Sequence, residues 1–102
     1  MKPLFIPLKK EYFEAFERGE KKVEYRAYGA RWNENVCVIG RPVVLSCGYG
    51  KARRLKGKVV SFMKTKVDKR KAGFRPILAL FKSIEHVAEI GIKIDTEADG
   101  KR

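Results

Sequence analysis

The sequence lacks the features that mark membrane-spanning, secreted and zinc-stabilised proteins. No apolar run approaches the roughly 18 residues that a membrane span needs. Cysteine and histidine are scarce: Cys37, Cys47 and His86 are too few to build a tetrahedral zinc site. Residues 1–9 are too short and too interrupted by proline to act as a secretory signal. We therefore expect a cytoplasmic protein with reduced thiols, no membrane association and no cofactor.

Acidic residues are almost missing from one quarter of the chain. The formal net charge of the protein is +12. Residues 51–75 contain eleven lysines or arginines and one acid, Asp68, which gives this segment a net charge of +10. A local block of positive charge attracts phosphate backbones, because binding releases the counterions of the nucleic acid. The block favours a nucleic-acid partner, and a solubilising surface or a flexible basic loop is the alternative.

The hydrophobic pattern predicts one domain, residues 1–102, with a polar tail from about residue 95. Residues 9–18 have apolar side chains at helical spacing, and Gly19 stands where a left-handed cap is expected. Short β-rich runs predict five or six strands, at about residues 5–8, 21–28, 43–47, 55–66, 75–81 and 90–94. Gly57, inside the longest run, suggests a bulge or a sharp bend. The expected fold is α+β: a small, closed or nearly closed barrel of five to six mostly antiparallel strands, with one main helix near the N-terminus.

The segment from Gly19 to Arg26 sets acids and bases close together just after this helix. If the chain is extended from Lys21 onward, Lys22, Glu24 and Arg26 share one face of the strand and Lys21 lies on the other. Such a cluster at a strand start is able to hold a phosphate, a base edge or a polarised carbonyl. A solvated strand with one surface ion pair is the alternative.

The same segment, Gly19-x-Lys21-x-x-Glu24-x-Arg26, resembles the G-x-K-x-x-E-x-R signature of the ASCH domain family. The preceding residues 7–13 and the following residues 28–33 and 45–50 extend the resemblance, which covers about residues 3–81. The sequence most resembles short stand-alone members from bacteria and their phages. The resemblance implies a PUA-like β-barrel that binds RNA, with a cleft whose floor carries the signature lysine, glutamate and arginine.

The resemblance also implies possible catalytic residues, Lys21 and Glu24. One ASCH subgroup hydrolyses N4-acetylcytidine with a threonine that the signature lysine activates, whereas this sequence has Glu24 at the threonine position. Another subgroup resembles a ribonuclease. A nucleic-acid-processing hydrolase, with or without a divalent metal, is therefore the alternative function. Glu34 or Glu85 would have to approach Glu24 to help hold such a metal.

The residues themselves favour binding over catalysis, because an arginine paired with a glutamate recognises phosphate without any tuned pKa. Cations follow the glycine turn at residues 48–50 and continue along the next strand, and aromatic residues in or near loops are suited to stacking on unpaired bases. The candidate contacts are Tyr25, Arg26, Arg31, Trp32, Tyr49, Lys51, Arg53, Arg54, Lys56 and Lys58. We predict binding of RNA or single-stranded nucleic acid. A regulatory adaptor that docks on a protein through the same basic face is a third possibility, and the oligomeric state stays open.

Overall fold

The computed structural model describes residues 1–67 and 85–95, which form one helix and five strands. In chain order the elements are β1 (Leu4–Leu8), α1 (Lys10–Glu17), β2 (Val23–Ala27), β3 (Pro42–Cys47), β4 (Arg54–Lys66) and β5 (His86–Ile94). The strand predicted at residues 75–81, part of the basic block and the predicted polar tail after residue 95 lie outside the described residues.

The five strands form a single mixed sheet in the order β1-β3-β4-β5-β2. Strands β1 and β3 are parallel, which is possible because α1 and β2 separate them along the chain, and the other three pairings are antiparallel. The sheet is curled, and α1 packs against β1 and β3. The α+β class and the barrel-like curl expected from the sequence are thereby confirmed.

The core lies on the inner face of the sheet, under α1. Alternation places Ile6 of β1, Leu45 of β3 and Ile90 of β5 inside, each fully buried. The helix contributes Phe13 and Phe16, one turn apart on its buried face. Each buried aromatic or branched side chain of this kind stabilises the fold by about 1.5–3 kcal/mol.

The helix ends as the sequence predicts. The Gly19 amide donates to the carbonyl of Phe16, and Gly19 itself adopts a positive φ of 79°. This left-handed conformation costs glycine nothing, whereas a side chain would strain it. The turn lets the chain reverse at once, so that the charged segment following the helix enters the sheet as β2.

Strand β4 departs from the sequence prediction at its bulge. The pairing of β4 with β5 is regular at Gly57 and shifts between Val59 and Ser61, so that Val60 is the extra residue. The predicted position of the bulge was therefore wrong by three residues. Gly57 serves a different purpose: a Cβ there would collide with the backbone carbonyl oxygen of Lys93, so glycine allows β4 and β5 to approach closely.

We expect Gly57→Ala to destabilise the protein by about 1–3 kcal/mol, because the added methyl group forces two paired backbones apart. Gly50→Ala is the matched control, since a Cβ at that position meets no atom within 4 Å. The control is expected to change the free energy of unfolding by about 0.5 kcal/mol or less. Urea denaturation followed by circular dichroism measures both, and equal stability of the two variants would contradict the close approach.

Candidate nucleic-acid interface

The three charged residues of the signature meet around a buried carboxylate. Glu24, on the inner face of β2, is 7% exposed. One of its carboxylate oxygens accepts a hydrogen bond of 2.7 Å from Arg26 Nε, and the other lies 3.5 Å from Lys21 Nζ. A buried carboxylate needs compensation, and the two cations offset the cost of placing Glu24 inside the sheet.

Lys21 reaches this cluster because the strand begins later than the sequence suggests. Strand β2 starts at Val23, and residues 21 and 22 precede it. The predicted alternation therefore fails for Lys21, which joins Glu24 instead of lying opposite it. Lys22, predicted to share the face of Glu24, instead lines a groove together with Val23.

Arg26 joins the two edges of the sheet. Its Nη2 donates a hydrogen bond of 2.6 Å to the carbonyl of Pro7 on β1, while Arg26 itself belongs to β2. Strands β1 and β2 are the two ends of the strand order, so this bond bridges the open side of the curled sheet. The guanidinium also lies 4.9 Å from the ring centroid of Trp32. Arg26 is thus committed to contacts within the protein.

Lys21 is held in an aromatic environment. Its Nζ donates a hydrogen bond of 2.6 Å to the carbonyl of Val23. It lies between 5.4 and 5.6 Å from the ring centroids of Tyr12, Phe16 and Tyr25, a distance at which cation–π attraction acts. Lys21 is thus held by a carbonyl, a carboxylate and three aromatic rings.

Arg53, a predicted nucleic-acid contact, is committed to the helix. Its guanidinium bonds to Glu14 and Glu17 of α1, both at 2.9 Å, and lies 5.1 Å from the ring centroid of Phe13. The hydrogen bond from Arg53 holds the pKa of Glu14 below its usual value. The charge of Arg53 is compensated by these two carboxylates. Arg53 therefore ties the loop to α1, whereas the neighbouring cations Lys51 and Arg54 are exposed.

Four exposed cations lie on the outer face of the sheet, which we call the basic face: Arg54, Lys56 and Lys58 of β4 and Lys93 of β5. Alternation along β4 turns Leu55, Gly57 and Val59 inward and these cations outward. The three lysines form no hydrogen bond or ion pair within the described part of the chain. Lys58 and Lys93 are direct cross-strand partners. Like charges in that position destabilise a sheet, so the arrangement has a cost that no contact in the described part of the chain offsets.

Aromatic rings stand at one end of the basic face. Arg54 donates two hydrogen bonds to the carbonyl of Gly50 and lies 5.2 Å from the ring centroid of Phe5. The centroid of Phe5 is 6.4 Å from that of Tyr49, which is 81% exposed. Lys51 is exposed in the adjoining loop. Phe5 was missed by the sequence reasoning, although its alternation with the buried Leu4 and Ile6 signals an outward position.

The predicted contacts therefore fall into two groups that the structure does not bring together. The side chains of Glu24 and Arg26 face the inside of the sheet, whereas Lys56 and Lys58 face outward. The inner group also holds the half-buried Trp32 and the exposed Arg31, whose guanidinium lies 6.0 Å from the ring centroid of Trp32. The half-buried Tyr25, between Glu24 and Arg26 on β2, faces the other side of the strand. The outer group holds Tyr49, Lys51, Arg54, Lys56 and Lys58.

Metal ligation finds little support in the described ranges. Residues 1–67 and 85–95 contain no group of three histidine, cysteine, aspartate or glutamate side chains placed to hold a metal ion. Glu34 instead accepts a hydrogen bond of 2.6 Å from the Tyr28 hydroxyl, which raises the pKa of Tyr28 and lowers that of Glu34. No helix in these ranges is long and apolar enough to cross a membrane.

Comparisons with known proteins identify the architecture and nothing further. No family model and no curated protein matches the sequence. The chain is similar to a solved structure, the crystal structure of hypothetical protein PH0355, with a TM-score of 0.65 and 18% sequence identity. The match covers 91% of this chain and 99% of the other. At this identity the likeness shows that the two proteins share a fold.

We expect Glu24→Gln to lower the free energy of unfolding by about 2–3 kcal/mol, because Arg26 and Lys21 then remain half-buried without a carboxylate. Glu20→Gln is the matched control: it removes an exposed ion pair, that of Glu20 with Arg18, and leaves the core untouched. Urea unfolding of both variants makes the comparison. Equal stability of Glu24→Gln and the control would show that the cluster does not hold the sheet together.

Proposed function

We propose that this protein is an ASCH-type domain with a PUA-like barrel, and that it binds RNA or other single-stranded nucleic acid through the basic face. The observation that carries the proposal is a set of exposed cations that meet no carboxylate within residues 1–67 and 85–95: Arg54, Lys56, Lys58 and Lys93. Paired cations such as Arg53 stabilise the fold, whereas unpaired ones remain available to phosphates.

The spacing of the basic face suits an extended strand. Residues two apart on β4 are separated by about 6.8 Å, so Arg54, Lys56 and Lys58 form a regular row along one rigid element. Phosphates of an unpaired strand are able to follow such a row. Because the row is part of a sheet, its geometry exists before the ligand arrives and little ordering cost is added on binding.

Aromatic rings at the end of the row add to the binding free energy by stacking on bases, whatever the base sequence of the strand. The exposed Tyr49 and the neighbouring Phe5 offer ring faces beside Arg54. Stacking of a base on such a ring contributes about 1–3 kcal/mol, and it requires a base that is not paired. Cations followed by aromatic rings therefore favour a single strand over a duplex.

In this proposal the signature residues support the interface. Glu24 and Arg26 bridge the edges of the sheet and so keep the curvature of the basic face. Arg31 and Trp32 lie near that bridge on the inner side and support it. Tyr25 lies on the other face of β2, and it is the residue of this group to which we assign a contact with the bound strand.

A hydrolase is the second candidate, favoured by the half-buried Lys21 placed 3.5 Å from Glu24. A lysine and a carboxylate at this distance are suited to general acid–base work on a ribose hydroxyl or an amide. Incubation with single-stranded RNA and with N4-acetylcytidine, with and without Mg²⁺, tests it. Turnover that both Lys21→Ala and Glu24→Ala abolish would establish the hydrolase, and no turnover with either substrate would refute it.

We expect Lys56→Gln combined with Lys58→Gln to weaken binding of a fluorescent twelve-nucleotide oligouridine and to reduce its salt dependence. Each lost phosphate contact lowers the slope of log K against log salt by about 0.7 for a single strand, so two lower it by about 1.4. Fluorescence anisotropy at several salt concentrations measures both quantities.

The control for this experiment removes the same charge elsewhere. Lys9→Gln combined with Lys10→Gln changes two exposed lysines at the start of α1 and keeps the net charge of the two double variants equal. An unchanged slope in the β4 variant, or an equal loss in both variants, would show that net charge and not the basic face attracts the strand.

A further inference from the structure

A groove opens on the outer face of the sheet where β4 bulges. It has a volume of about 310 Å³, and its lining includes Val60 and Ser61 of β4, Gly91 and Lys93 of β5, and Lys22 just before β2. The bulge turns both Val60 and Ser61 outward, which breaks the regular pleat and widens the space beside β5. The groove therefore results from one inserted residue.

Gly91 sets the depth of this groove. A Cβ at residue 91 would collide with Ser61 Oγ, so only glycine allows the hydroxyl to lie over the backbone of β5. The Ser61 hydroxyl forms no hydrogen bond with any residue in the described ranges. A hydroxyl is thus presented to the groove with both its donor and its acceptor available.

Positive charge gathers at the same place. Lys93 lines the groove, and its cross-strand partner Lys58 ends the row of cations on β4. Lysines at these two opposed backbone positions both add to the local attraction for an anion. Among the described residues, no carboxylate lines the groove, so this part of its lining matches an anion and not a metal cation.

We propose that this groove is a phosphate subsite that takes one nucleotide of the bound strand, with Lys93 and Lys58 contacting the phosphate and Ser61 Oγ donating a hydrogen bond to it. The inference rests on the proposed function and extends it. It adds a site beside β5 for one nucleotide of the strand that is bound along β4. The apolar Val60 and Val23 provide the walls against which the sugar of that nucleotide packs. The volume lies at the lower end of the range for small-molecule sites, which matches one nucleotide and not a folded element.

The experiment combines two single variants with chemical-shift mapping of the full chain. Lys93→Gln is expected to weaken oligouridine binding about three- to fivefold and to lower the salt slope by about 0.7. Ser61→Ala is expected to weaken binding without changing the slope, because it removes a hydrogen bond and no charge. In ¹⁵N-labelled wild-type protein, saturation with the oligonucleotide is expected to shift the amides of Ser61, Gly91 and Lys93.

Two controls separate binding from folding and from general charge. Lys66→Gln removes one exposed lysine from the far end of β4 and is expected to bind like wild type. Lys93→Gln also relieves the like-charge pair with Lys58, so its stability to urea is expected to rise or to stay unchanged. Weaker binding by a variant of undiminished stability cannot arise from unfolding.

The outcomes distinguish this inference from the function on which it rests. If wild-type protein binds the oligonucleotide, but Lys93→Gln and Ser61→Ala bind equally well and the groove amides do not shift, the subsite is refuted and strand binding stands. If wild-type protein does not bind the oligonucleotide at low salt, the proposed function fails and the subsite fails with it.

Discussion

The buried carboxylate of Glu24 is the constraint on which the sheet depends. It fixes Arg26 Nε, and Arg26 in turn reaches the carbonyl of Pro7 on the opposite edge strand. An edge strand otherwise presents unpaired backbone groups, and here one guanidinium bridges the gap between two such edges. Lys21 supplies the second cation that a buried carboxylate requires. The spacing of lysine, glutamate and arginine in this segment is therefore explained by the structure of the sheet, without any bound ligand.

Local sequence predicted those parts of the fold that depend on neighbouring residues. The helix, its end at Gly19 and the alternation of Ile90 and Ile92 with Gly91 follow from periodicity and from the conformational freedom of glycine. The bulge could not be placed in the same way. Its position depends on how β4 meets a strand about thirty residues later, through the contact of Gly57 with Lys93 and that of Ser61 with Gly91. No local pattern in β4 contains that information.

The candidate site shows the same division between local and distant information. The outward direction of Lys56 and Lys58 follows from alternation, and that of Phe5 was available from the same rule. The role of Arg53 could not be predicted from such a local rule, because its partners Glu14 and Glu17 precede it by more than thirty residues. A cluster of cations in a sequence therefore does not reveal which of its members are already paired in the folded chain.

In the described part of the chain, cations that pair with carboxylates lie in different places from cations that do not. Inside the sheet and along α1, the cations Lys21, Arg26 and Arg53 meet carboxylates. On the basic face, Lys58 and Lys93 are instead cross-strand partners of like charge. A surface selected for solubility alone has no reason to place two lysines in register, since separated charges serve that purpose without repulsion. The inward-facing Gly57 and Val59 fix the pairing of β4 with β5, and the same pairing sets the backbones of the two lysines opposite each other. In the proposed function, the packing that builds the core thus also preorganises the outer face for an anion.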